Sequence, residues 1–173
     1  MTYFSDLSEY TYVHTAIDRP AEMNIGWLGI GHNFEKQEPS KQLLDLTWKF
    51  CSVSVSPTRG IHQCEFCSRG DWYICERNGQ RLILGGAEIR VFSRNGATYA
   101  APDLIYHYVL DHHYRPPDEF VQAMNAGLRP PDSEYFERLN RSGHEWRNKS
   151  FLDANWDLAM AEHRELRKKY SGK

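Results

Sequence analysis

Several familiar signatures are missing from this sequence. Nowhere do about 18 apolar residues run together, and the opening "MTYFSDLSEYTYVH" has no basic stretch followed by an apolar one. Neither membrane insertion nor export is expected, which makes the cytoplasm the expected compartment. Positive charge is not in surplus: Lys plus Arg number 21 against 23 for Asp plus Glu, so the chain as a whole does not advertise an affinity for nucleic acid or an anionic membrane. There is no Gly-x-Ser-x-Gly elbow and no P-loop. The glycines of "GWLGIGH" are spaced Gly-x-x-Gly-x-Gly, which is not the dinucleotide fingerprint. His32, which closes that stretch, could act as an acid or base but has no orienting partner in sequence. Cysteine is scarce at 4 residues, and in a reducing compartment these are read as free thiols or metal ligands rather than disulfides.

What is present suits a folded domain. With 173 residues, 40% of them hydrophobic and 13% aromatic, the chain can bury a core of its own. "YTYVHT" and "NIGWLGIGH" read as short strands, and "PSKQLLDLTWKF" as a helix with Pro39 in its first turn and Leu43, Leu44, Leu46 and Phe50 on its apolar face. Over residues 70–101, the pairs Asn78-Gly79 and Asn95-Gly96 fall between strand-forming runs and predict hairpin turns in an antiparallel meander. After Pro102 the pattern turns helical, with helices expected in "PDLIYHYVLDHHY", in "PPDEFVQAMNAG" with Gly127 as cap, in "PPDSEYFERLNRSG" and over residues 151–170. The expected fold is α+β, an antiparallel β-meander packed against helices. Residues 1–128 would form a mixed α/β core domain, and residues 129–173 a helical C-terminal extension packed on it.

The stretch "RGIHQCEFCSRG" carries the most chemistry. Cys64 and Cys67, two residues apart, can face one ion when the backbone turns between them, and thiolates suit a tetrahedral zinc site. Gly70 would relax the turn. Thioredoxin-like redox chemistry uses the same spacing, but there it opens a helix after a strand, whereas hairpin signals follow here. Half a zinc site needs two more ligands, and His107 and His112 of the first helix after Pro102 are the chosen pair, with His62, Cys51 and Cys75 as alternatives. On a regular helix His112 falls near the centre of the apolar stripe and His107 at its edge, about 140° apart, so both reach one ion only if the helix loosens.

Three stretches also carry a resemblance: "YFSDLSEYTY", "NIGWLG", and "AEIRV" running into "YAAPDLIYHYVLDHHYRPPDEFVQA". Together they resemble a family of small bacterial proteins classed as a domain of unknown function, over about residues 1–125. The resemblance marks Trp27, His32, His62, Cys64, Cys67, Glu88, Arg90, His107, His112 and Pro117. It implies no activity.

Three functions follow, in order of preference. The first is a cytoplasmic interaction module, an adaptor or immunity-type protein with another protein as partner and its fold pinned by zinc. The second is a metal-dependent or histidine-based hydrolase built from Cys64, Cys67, His112 and an acid such as Glu88, with water in an open metal position. The third is a nucleic-acid binder, which would align Arg59, Arg69, Arg90, Arg94 and the basic tail "RELRKKYSGK" beside Trp72 or Tyr99.

Overall fold

The computed structural model describes residues 2–12, 21–58, 60–67 and 73–149. The fold is α+β. A five-stranded mixed sheet has the order β1-β6-β5-β2-β7, where β1 is Glu22–Asn24, β2 Val53–Val55, β5 Glu88–Phe92, β6 Thr98–Pro102 and β7 Trp146–Asn148. β1 runs parallel to β6, and the remaining pairings are antiparallel. A separate hairpin joins β3 (Tyr73–Arg77) to β4 (Gln80–Leu84).

Both Asn-Gly pairs turn hairpins, as their tolerance of left-handed backbone predicts. Asn78 and Gly79 have φ 52° and 72°, and Gly96 has φ 93° while the Asn95 side chain accepts from the Ala97 N–H at 3.1 Å. The expected single meander is nonetheless divided. β3 and β4 stand apart as a two-stranded sheet, and β5 leaves them to pair with β2 and β6.

Two expected strands shrink. Residues 8–10 pair with β1 through a single bridge, Glu9–Met23, backed by the Asn24 side chain, which donates to the Ser8 hydroxyl and the Glu9 carbonyl, and Tyr12 turns away to pack on Trp27 with ring centroids 5.0 Å apart. The remainder of "YTYVHT" lies outside the described residues. "NIGWLGIGH" belongs to a strand only at its first residue, Asn24, the end of β1, and Gly26, with φ 68°, turns the chain out of the sheet. The Trp27 indole then donates to the Ala100 carbonyl at 3.1 Å and closes that segment over β6.

Helix α1, Lys41–Cys51, starts at Ser40, whose hydroxyl accepts from the Leu43 N–H at 3.1 Å. Pro39 therefore precedes the cap instead of sitting in the first turn. α2 (Ile105–His112), α3 (Asp118–Ala126) and α4 (Ser133–Arg141) follow, the last two each introduced by a Pro-Pro pair. α1 packs on α2, α3 and β5, and α3 also on β5. Tyr135 of α4 is fully buried against Phe50 and Phe92, and its hydroxyl donates to the Arg90 carbonyl at 2.9 Å. Every residue of β5 and β6 is buried, so these strands lie inside the molecule.

One consequence is a buried ion network. Arg90 Nε lies 2.8 Å from Glu22 and its Nη1 2.6 Å from Glu88, while the Tyr10 hydroxyl donates to both Glu88 oxygens at 2.8 Å. His144 Nε2 completes the network 2.9 Å from Glu22. The expected helix over 151–170, and with it the docking of the tail, lies outside the described residues.

Candidate metal centre

The loop that carries Cys64 and Cys67 is fixed from behind. The His62 N–H donates to the Gly85 carbonyl at 2.7 Å, and the Thr58 N–H to the Gly86 carbonyl at 2.9 Å. Gly85 is itself held by fully buried Asp103, which accepts its N–H at 2.7 Å and pairs with Lys149 at 2.6 Å. Between the two cysteines, Phe66 turns inward and packs on Phe34, Tyr108 and His112, with ring centroids 5.6, 6.1 and 5.3 Å away. A glycine-backed strut and an aromatic anchor thus aim both thiols at α2.

There they meet the two histidines. Cys64 Sγ lies 3.3 Å from His112 Nε2; Cys67 Sγ lies 3.4 Å from the Nε2 atoms of both His107 and His112; and the two Nε2 atoms are 3.1 Å apart. All four ligand atoms fall within 4.8 Å of one another, a grouping that could hold a metal ion. With Zn–S near 2.3 Å and Zn–N near 2.0–2.1 Å, a tetrahedron has edges of about 3.6 Å between sulfur and nitrogen and about 3.3 Å between nitrogens. These four separations match the edges to a few tenths of an ångström.

The expected 140° between the histidines is resolved at the helix end. α2 stops at His112, and His113 takes φ 57° as a left-handed cap, so His112 sits on the final turn and swings its ring toward His107. Burial runs opposite to expectation: His107 is fully buried and His112 half-buried. The reason is that the first five residues of α2, Ile105 through Val109, are all buried, so the edge of its apolar stripe is interior there as well.

His107 is also oriented. Its Nδ1 is 2.8 Å from Asp111, and Asp111 accepts a short hydrogen bond from the Tyr73 hydroxyl. With the ring proton directed to Asp111, the Nε2 lone pair faces the cluster, the usual arrangement behind a metal-ligating histidine. Neither Asp111 nor Tyr73 was expected from the sequence. Asp111 had a local signal, since it lies four residues after His107 on the same helix face; Tyr73 had none.

Burial acts on both kinds of ligand. Burial, with Cys67 alongside, pushes the Cys64 thiol up to about 11, a state that a bound cation reverses by stabilising the thiolate. Burial also lowers His112, which favours the neutral, ligating imidazole.

The other candidates lie elsewhere. The Cys51 thiol donates to the Asp103 carbonyl at 3.3 Å, and Cys75 reaches the Leu82 carbonyl at 3.8 Å. Burial drives both thiols up, Cys75 to about 12, and they behave as small core residues. His62 serves through its backbone, and His32 stacks on Tyr3 with ring centroids 3.5 Å apart. Glu88 and Arg90 belong to the buried ion network and not to the cluster. Arg59, Arg69, Gly70 and Trp72 lie outside the described residues.

Among the described residues no helix is long and apolar enough to cross a membrane. No curated protein and no solved structure matches the chain. The model of one family, Domain of unknown function (DUF7919), matches residues 2–125, which include all four residues of the cluster. The chain belongs to that family, a domain of unknown function as the resemblance implies.

Proposed function

We propose that the protein is a non-catalytic interaction module whose fold is stapled by one structural zinc ion, held by Cys64, Cys67, His107 and His112. The observation that carries this reading is the set of separations at tetrahedral edge lengths between two thiols of one loop and two imidazoles of one helix. Two soft thiolates with two imidazoles favour zinc over the hard, oxygen-seeking cations. Four protein ligands fill the tetrahedron. A hydrolase needs an open position for water, so the closed set argues for a structural role. The ion would join the loop around Cys64 to α2, an attachment otherwise made by Phe66, which packs on Tyr108 and His112. The partner proposed is another protein and the compartment a reducing one, where both thiols remain available.

Cobalt substitution tests the reading. A four-coordinate Cys₂His₂ site gives intense visible d–d bands and a thiolate charge-transfer band. A weak, five-coordinate spectrum that responds to added anions would instead indicate an open, catalytic position.

A further inference from the structure

A second feature lies away from the cysteines and histidines. The turn after β5, the α3–α4 connection and α4 enclose a cleft of about 610 Å³. Four arginines line it: Arg94 from the turn, Arg129 from the connection, and Arg138 and Arg141 from α4. Arg77, Arg81, Arg90 and Arg115 elsewhere in the molecule are each matched to a carboxylate. The cleft arginines form no ion pair among the described residues, although Asp132 and Glu134 share the cleft and the whole chain carries a net charge of −2.

The cleft has a built floor. Gly127 lies so close to the end of β5 that a Cβ there would stand 1.9 Å from the Phe92 carbonyl oxygen and 2.6 Å from that of Ala123. The Phe92–Leu128 bridge then locks the connection to the strand. Arg138 is positioned by the Phe92 ring, with its guanidinium carbon 5.6 Å from the centroid. Arg138 and Arg141 are three residues apart and share a helix face. Both also lie in the last turn of α4, where a cation complements the helix dipole, but Arg94 and Arg129 have no such role.

We propose that this cleft binds a small ligand bearing a condensed phosphate group, a di- or triphosphate, either free or carried on a nucleoside. Guanidinium forks match phosphate oxygens two at a time, and four of them along one cleft offer more donors than one carboxylate or one phosphate can satisfy. The volume lies within the range of about 300–1,000 Å³ usual for small-molecule sites. The arginines are confined to this one cleft, with Asp132 and Glu134 among them, and a short cluster of charge suits a compact phosphate group rather than a long, continuous backbone such as RNA.

The test is calorimetric titration of the intact protein with tripolyphosphate and, separately, with ADP at low ionic strength. An Arg129→Gln/Arg141→Gln double variant serves as control. Saturable one-to-one binding is expected, weakened about tenfold or more in the double variant, whose melting temperature without ligand stays that of the parent. Tighter binding of ADP identifies the nucleoside-linked source, and tighter binding of tripolyphosphate the free one. Absence of saturable binding to both, equal affinity in parent and double variant, or tighter binding of a short RNA duplex than of either probe overturns the proposal.

Discussion

Gly85 and His62 touch through their backbones in a way that tolerates no side chain. A Cβ on Gly85 would lie 2.1 Å from the His62 carbonyl oxygen, and Gly85 holds φ 97°. Two residues beyond His62 stands Cys64, so the geometry of the β4–β5 connection is transmitted to the first thiol of the cluster.

Gly85→Ala is therefore expected to cost stability and loosen the site together. The left-handed backbone alone accounts for about 1–3 kcal/mol, and relief of the contact must move the loop. Denaturant melts and a competition with a chromogenic chelator measure the two effects. Lost stability with unchanged metal retention would show that the strut does not place Cys64.

Asp111→Ala removes the acceptor behind His107. Metal affinity should fall about 10- to 100-fold, the usual effect of removing such a partner. Tyr73→Phe, which removes only the hydroxyl bonded to Asp111, should cost less. Chelator titration of the three proteins gives the order. Equal affinities would mean that Asp111 merely pairs with a helix neighbour.

Glu22 sets a pH dependence. Burial alone would raise its carboxyl, but the hydrogen bond from His144 and the charge of Arg90 outweigh burial and hold it below the ordinary value of 4.5. The folded state thus binds its proton less readily than the unfolded chain. The stabilisation it contributes is complete above about pH 4.5 and disappears as pH falls through the lowered folded value. Glu22→Gln should flatten that acid limb and, by leaving Arg90 with one carboxylate fewer, cost about 3–5 kcal/mol near neutrality. Thermal melts across an acid pH series check both. An acid limb as steep in Glu22→Gln as in the parent would remove Glu22 from the account.

Thiol reactivity should fall into two classes. With metal bound, none of the four cysteines is expected to react with an alkylating reagent in the folded protein. A chelator should release Cys64 and Cys67 alone: Cys67 is half-buried and Cys64, though as buried as Cys75, sits on the loop the ion would hold, whereas Cys51 and Cys75 are built into α1 and β3. Mass mapping of the labelled peptides reads the pattern. Labelling of Cys64 and Cys67 at the same rate with and without chelator would contradict it.

The features legible in the sequence are those with local causes. The Asn-Gly turns, the helix starts after Pro-Pro and the Cys-x-x-Cys knuckle each depend on a few adjacent residues. Strands of three residues such as β2 and β7 leave almost no periodicity, and β1 ends where Gly26 turns. The depth of His107 was hidden for another reason: α2 is covered by α1, with Tyr106 packed on Trp48 at 5.1 Å, which helical periodicity cannot reveal. The ion network and the arginine cleft are assembled from distant segments. Glu22, Arg90 and His144, like Arg94 and Arg141, become neighbours only once the sheet is built.

The metal content of the protein, purified without added metal, tests the central claim most directly when paired with melting curves before and after chelation. The account predicts one zinc ion per chain, a lower melting temperature once the ion is removed, and a Cys64→Ser variant that loses both the ion and much of the stability. Protein that purifies free of metal, melts unchanged with chelator and tolerates Cys64→Ser without loss would contradict it.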